Sequence, residues 1–333
     1  MNQSSHVEPD TRAKVLKAVE ALSYVPSAAA RSLARGASAR VLICCTSQSN
    51  DVDQALVAAV RAGDHHRVQV LPMVLPAGAE RPANQHQLRE LLSGAAGAIL
   101  LPPLGQSRWL QQLLGSLAVP AIAVNGCDSR DFCCVGIDEY AAAHEMTSEL
   151  IELGHRSLAF LDVVHADGRN EERRRGFEDA TRARRGRLRT WHCHEVMATY
   201  REGMLATRRV LAVDPGVTAI FAAEDVVAAG VCIAAQSLGK IVPRDLSIVG
   251  FGDAPIATRT TPELTTVRAP MELMALRAMD LLLAGRPGRS GQNSCVPHQL
   301  VHRHSLTLAP PDIAQLPRPV RPSSPPARVS YSD

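Results

Sequence analysis

The chain has 333 residues, 46% of them hydrophobic and 21% charged, a composition that suits a folded protein with at least one sizeable core. No run of about 18 apolar residues is present to span a bilayer, and no apolar segment follows a basic start to form a secretory signal, so a membrane or exported class is excluded and a cytoplasmic protein is predicted. The net charge of +3 is carried by the first 40 residues, where Arg12, Lys14, Lys17, Arg31, Arg35 and Arg40 stand against Glu8, Asp10 and Glu20, as expected of a segment that meets phosphates.

The first predicted element is a helix within residues 9–23, opened by Pro9 and carrying Val15, Leu16, Val19 and Leu22 on one face. That apolar stripe needs partner helices. Tyr24-Val25-Pro26 breaks it, Ser27 can cap a second helix, and Ala28 to Ala34 form a short Ala-rich helix ended by Gly36. From Arg40 the pattern becomes apolar runs alternating with helical segments. "RVLICC", "VQVLPMV", "AGAILLPP", "VPAIAVN", "SLAFLDVV", "VTAIFAAED" and "LSIVGFGD" read as strands; "VDQALVAAVRAG", "QHQLRELLSG", "AAAHEMTSELIELG", "RRRGFEDATRA" and "VAAGVCIAAQSLG" read as helices. Continuous apolar strands interleaved with helices predict an α/β protein with parallel sheets covered on both faces, and the number of units predicts two doubly wound lobes with a ligand crevice at the strands' carboxyl ends. The final stretch, "PPDIAQLPRPVRPSSPPARVSYSD", has no periodic apolar pattern and is expected to be disordered, without a leucine heptad to join dimers into tetramers.

Three motifs that suggest chemistry are expected to carry none. The eight cysteines include the adjacent pairs Cys44-Cys45 and Cys133-Cys134 but no C-x-x-C, so reduced, mostly buried thiols are expected. "WHCH" puts His192 and His194 on one strand face and Cys193 on the other without further metal ligands in view, and no metal or cofactor is expected. The basic run "RRRGFEDATRARRGRLR" reads as a solvated helix and loop rather than a second nucleic-acid patch. There is no G-x-S-x-G, no P-loop and no G-x-G-x-x-G opening a helix after a strand, so an enzyme is not expected.

Taken in order, "NQSSHVEPDTRAKVLKAVEALSYVPSAAARSLARG", "VGIDEYAAAHEMTSELIELGHRSLAFL", "RRRGF", "TAIFAAED", "GKIVPRDLSIVGFGD", "PELTTVRAP" and "QLVHRHSLTLAP" make the chain resemble the lactose-repressor/galactose-repressor family of bacterial transcription regulators over residues 2 to about 310. The resemblance implies a remnant of a helix-turn-helix headpiece at 1–26, a hinge helix and linker at 27–38, and a two-lobed, periplasmic-binding-protein-like effector-binding and dimerisation core at 39–310. The first lobe is expected at about 39–151 and 271–297, the second at about 152–268 and 298–310, and a Pro-rich tail at 311–333.

Residues Val7 to Ser23 match the family's third headpiece helix and Met1-Asn2-Gln3 the end of its recognition helix, so the 333 residues by themselves are expected to bind operator DNA weakly. A start upstream of Met1 is one explanation, favoured because the amphipathic stripe is intact. The other is a shortened, DNA-free sensor or dimerisation partner. Hinge residues implied to meet the minor groove are Ser27, Ala30, Arg31, Leu33 and Arg35, with Leu33 as the apolar wedge between base pairs. The implied partners are operator DNA, a second copy of the chain and a small sugar-like effector in the interlobe crevice. Effector contacts are implied for Asp138, Arg173, Glu224 and Asp225, although a carboxylate such as Asp225 at a strand-to-helix turn is often a helix cap. The chain departs from the family pattern at Glu224-Asp225, where most members have Asn-Asp, at Gly252, where many have Asp, and at Leu101, which is polar in some relatives.

Overall fold

The computed structural model describes residues 39–46, 50–75, 82–125, 133–163, 169–284 and 293–310. The expected headpiece remnant, the hinge helix with Ser27, Ala30, Arg31, Leu33 and Arg35, and the tail from 311 onward all lie outside the described residues.

The alternation read from the sequence becomes two sheets. The first holds β1 (Arg40–Cys45), β2 (Gln69–Val74), β3 (Gly97–Leu100), β4 (Ala121–Val124), β5 (Cys133–Gly136) and, late in the chain, β11 (Ser294–Cys295). Its order is β11-β5-β4-β3-β1-β2, every pair parallel. A parallel sheet is apolar on both faces. Accordingly Val41, Ile43 and Cys45 pack with α1 (Asn50–His66) and α8 (Met271–Leu283), while Leu42 and Cys44 pack with α2 (Pro82–Leu92) and α3 (Arg108–Ser116). Cys44 and Cys45 therefore enter opposite cores, as do Cys133 and Cys134. The described cysteines are free thiols, and burial pushes the Cys44 thiol up to about 12.

The second sheet holds β6 (Ser157–Val163), β7 (Thr190–Val196), β8 (Ala219–Ala222), β9 (Ser247–Gly252), β10 (Thr265–Arg268) and β12 (Gln299–Val301) in the order β12-β10-β9-β8-β6-β7. Only the β10–β12 pair is antiparallel among the described strands. Its helices are α4 (Glu139–Glu152), α5 (Arg169–Ala183), α6 (Tyr200–Val213) and α7 (Asp225–Ser237). Phe160 on the central strand stacks on Phe177 at 5.0 Å and meets Phe221 edge-on at 5.2 Å, so one aromatic cluster joins the sheet to α5.

One boundary moves. The sequence analysis ends the first lobe near residue 151, but Ala142, Ala143, Met146, Leu150 and Ile151 of α4 pack into the second lobe's core with Leu158 and Phe160. The chain therefore crosses between the lobes just before α4, at Ile137, whose side chain packs against both cores. It crosses back between Arg268 and Met271, and again between Val296 and Gln299. Helices α3, α6 and α8 were not in the sequence reading, although Thr199 and Glu202 form the start of a capping pattern: the Thr199 hydroxyl accepts from the Glu202 amide at 3.1 Å.

Close approach of α4 and α5 depends on Gly176, where a Cβ would overlap the carbonyl oxygen of Tyr140 and crowd the amide of His144. Gly176→Ala is expected to lower stability by about 1–3 kcal/mol by forcing the two helices apart, read as a fall in the denaturation midpoint. His155, just after α4, is buried between Thr218 and Thr307. Its Nε2 donates to the Thr307 carbonyl at 3.1 Å, so its Nδ1 accepts from the Thr218 hydroxyl at 2.9 Å, which defines a neutral tautomer. Burial holds its pKa down to about 4.

Candidate functional site

In an open α/β sheet the crevice forms outside the strands' carboxyl ends, where the strand order reverses. In the second lobe that point lies between β6 and β8. Helix α5 follows β6, so its first turn stands at this point, and "RNEER" places Asn170 and Arg173 three residues apart on one helix face.

Arg173 is buried and held from three sides. Its Nε donates to Glu139 Oε2 at 2.7 Å and its Nη1 donates to the carbonyl oxygen of Ala223, at the end of β8, at 2.7 Å. The guanidinium carbon lies 3.7 Å from the centre of the Phe251 ring on β9, a cation–π contact in a desolvated setting. Glu139 is the first residue of α4, where the helix dipole favours a carboxylate. Two helix N-termini and two strand ends thus fix the plane of one guanidinium.

The other predicted residues take different places. Asp138 at the carboxyl end of the interlobe crossing is exposed and caps α4, its Oδ1 accepting from the Ala141 amide at 2.8 Å. Glu224 is the N-terminal cap residue of α7 and makes no side-chain capping bond.

Asp225 is bonded inside the second lobe. It is 1% exposed, Oδ1 accepts from the Thr266 hydroxyl at 2.6 Å, and Oδ2 accepts from the Ala254 amide at 2.6 Å. It is not the cap of its own helix, where Glu224 stands; it ties α7 to β10 and to the turn after β9. Burial is the main cause that drives its pKa up to about 6, opposed by those two hydrogen bonds. At Gly252 the backbone has φ +123°, a region that an L side chain rarely adopts, so the missing carboxylate there matches the local backbone. The next residue, Asp253, accepts from Arg268 Nε and from Arg303 Nη2, each at 2.6 Å.

Sequence reasoning passed over Glu139, Asn170 and Asp162. Glu139 Oε1, Asp162 Oδ1 and both polar atoms of the Asn170 amide are buried without a hydrogen-bond partner. Asp162, near the end of β6, lies 3.9 Å from Arg174, and burial pushes its carboxyl up to about 6 against the pull of that cation. The one available signal was position: Glu139 and Asn170 sit in a helix's first turn and Asp162 near a strand end.

The histidine pair is accounted for locally, since Asp214 Oδ2 lies 3.2 Å from His192 Nε2 and accepts from the Thr190 hydroxyl at 2.6 Å. No group of three or more His, Cys, Asp or Glu among the described residues could hold a metal ion. Among the same residues no helix is long and apolar enough to cross a membrane. On α5, Arg182 pairs with Glu178 and Asp179 at 2.6 Å, the pattern of a solvated charged face.

Known proteins share this fold. The periplasmic binding protein-like domain pattern matches residues 147–306. The HTH-type transcriptional regulator GalS of Salmonella typhimurium is 31% identical over 314 residues, covering 92% of this chain and 91% of GalS. A solved structure of the transcriptional regulator CelR in complex with cellobiose superposes with a TM-score of 0.69 at 24% identity, covering 91% of this chain and 92% of that one. A LacI family transcriptional regulator from Enterococcus faecium with bound ribose superposes with a TM-score of 0.67 at 19% identity, over 81% of this chain and 99% of the other. From its identity with GalS along nearly its whole length and from the two-lobed fold, the chain belongs to the lactose-repressor/galactose-repressor family of bacterial transcription regulators.

Proposed function

We infer that the protein is a ligand-responsive transcriptional regulator of the repressor type, a homodimer that binds operator DNA and holds a small sugar-like effector at the carboxyl ends of its strands. The observation that carries this reading is Arg173, a buried guanidinium fixed by Glu139, Ala223 and Phe251 at the strand-order reversal of the second lobe. A rigid donor fork at that point suits a ligand rich in hydroxyl groups. The cellobiose and ribose held by the two structures compared above are ligands of this chemical kind.

Asp138 and Glu224 supply acceptors at the edge of the crevice, while Asp225 positions the α7 N-terminus from within. At the other end of the chain, Ser27, Ala30, Arg31 and Arg35 meet the DNA backbone and Leu33 wedges between base pairs in the minor groove. Effector and operator are coupled, so each changes the affinity for the other by the same factor.

Immunoprecipitation of the native protein with crosslinked DNA from its own cells tests this. Discrete, two-fold symmetric sites are expected, as a dimer requires, with occupancy that changes when a sugar effector is supplied. Recovery of no specific DNA would sink the regulator reading in favour of a sensor that works without an operator.

A further inference from the structure

The basic run "RRRGFEDATRARRGRLR" splits in the fold. Its helical half is neutralised where it stands: on α5, Arg173 pairs with Glu139, Arg174 with Asp162, Arg175 with Glu172, and Arg182 with Glu178 and Asp179. That half keeps the character of a solvated charged face. The loop half does not. Between α5 and β7 the chain turns through a 3-10 helix, Arg185–Arg187, and its arginines gather with Arg156, the residue before β6. The Arg189 amide donates to the Arg156 carbonyl at 2.7 Å and Arg156 Nη1 donates to the Arg187 carbonyl at 2.6 Å, so Arg156, Arg187 and Arg189, all exposed, stand on one patch of backbone. The Arg187 amide in turn donates to the Arg184 carbonyl at 2.8 Å. Among the described residues no carboxylate pairs with Arg156 or Arg187, and Arg184 meets Glu152 at 3.5 Å.

This patch lies at the far end of the second lobe. Helix α4 leaves the interlobe crossing at Glu139 and runs 14 residues, about 21 Å, to the turn before Arg156. In the first lobe β1 runs parallel with β5, which ends at the same crossing, so Ala39, where segment 1–38 joins the fold, faces the opposite way. The last described residues also return to the basic pole. The Ala309 amide donates to the Leu153 carbonyl at 2.9 Å, and the sequence beyond it carries Arg318, Arg321 and Arg328 against Asp312 and Asp333.

The chemistry of the patch selects its partner. A guanidinium offers five donors in a fixed fork that fits phosphate oxygens, and several on one face neutralise neighbouring phosphates and release their counterions. A protein partner would want an apolar centre, but the apolar residue of this loop, Leu188, packs against the second lobe's core. We propose that Arg156, Arg184, Arg187 and Arg189 form a sequence-independent site for the phosphate backbone of a second DNA segment, so that the protein bridges two duplexes held at its opposite ends. The choice of DNA as the occupant rests on the reading of the chain as a transcriptional regulator.

The test uses the full chain and two random-sequence duplexes, one with a donor and one with an acceptor fluorophore; energy transfer reports bridging, and the anisotropy of either duplex reports binding. Bridging is expected, and its apparent affinity is expected to fall about a hundredfold between about 50 and 200 mM salt, as roughly four phosphate contacts require. Arg187→Glu is expected to weaken bridging at least about tenfold and to lower the salt slope by about 1. Its melting temperature is expected to stay unchanged, because the fold uses only the backbone of Arg187. Glu152→Gln, which releases Arg184, is expected to tighten bridging about threefold. Binding of one duplex without energy transfer overturns the inference and leaves the regulator reading standing. So does bridging that Arg187→Glu leaves intact, which would put the second duplex on another face. Polyglutamate that displaces the second duplex at a charge concentration below that of the DNA overturns it in favour of an acidic protein. A chain that binds no duplex at the lowest salt overturns it as well, and the immunoprecipitation then decides the regulator reading by itself.

Discussion

Replacing Arg173 with leucine is expected to destabilise the second lobe by about 3–5 kcal/mol and to abolish effector binding. The stability loss comes from what stays behind. Glu139 would retain a buried carboxylate with Oε2 stripped of its donor and Oε1 already without one, while the Ala223 carbonyl would lose the Nη1 hydrogen bond. Paired charges in a protein interior are close to neutral in sum; a single remaining charge is not. The double replacement Arg173→Leu with Glu139→Leu is therefore expected to recover most of the stability and none of the binding. Urea denaturation of both variants, set beside calorimetric titration, separates the two roles. A single-variant loss below about 1 kcal/mol, the size typical of an exposed pair, would show that the pair is solvated.

A pH slope is the second large effect. Asp225 titrates near 3.8 in an unfolded chain and near 6 in the folded one, chiefly because burial disfavours its charged form, with Thr266 and Ala254 pulling the other way. Between those values the folded state holds the proton that the unfolded state has released, so raising the pH favours unfolding. The contribution of this carboxyl is greatest below about pH 4 and is lost as the pH rises through about 6, a span worth about 3 kcal/mol. Asp225→Asn cannot titrate, and its amide can still accept from Ala254 while donating to Thr266. From pH 4 to pH 7 the unfolding free energy of the variant is expected to improve on wild type by about 3 kcal/mol. His155 works in the opposite sense. Its folded pKa of about 4 lies below the ordinary 6.5, so its stability is present above 6.5 and drains away as the pH falls. In wild type the two slopes oppose each other, and only the difference between variant and wild type isolates Asp225. A pH-independent difference would mean that the Asp225 carboxyl ionises in the fold as it does in water.

The fold was legible because parallel strands buried on both faces leave an unbroken apolar run, as in "RVLICC" and "SLAFLDVV", and the runs recur with helix-length spacers. The lobe boundary was not, because an apolar helix face in "AAAHEMTSELIELG" says that it packs and not against which sheet. Arg173 stood out through its motif. Glu139 did not, since an acidic residue in a first helical turn looks like a dipole partner, and only the fold brings α5 across to meet it. The bonds of Asp225 were hidden for a related reason. A carboxylate after a strand signals a cap in one dimension, but Thr266 and the Ala254 amide, which claim it, are 41 and 29 residues away.

The vicinal cysteines, set into opposite faces of one sheet, turn the protein into its own unfolding clock. Alkylating reagents need an accessible thiolate. Cys44, Cys45, Cys133 and Cys134 are all sealed in the first lobe, and Cys232 in the second. An iodoacetamide time course followed by intact mass would report the opening of each lobe separately. Beyond the adducts that the exposed Cys193 and Cys295 take up from the start, four gained together mark the loss of the first sheet, and one at Cys232 marks the second. Their order ranks the local stabilities of two halves that a single melting curve would blend.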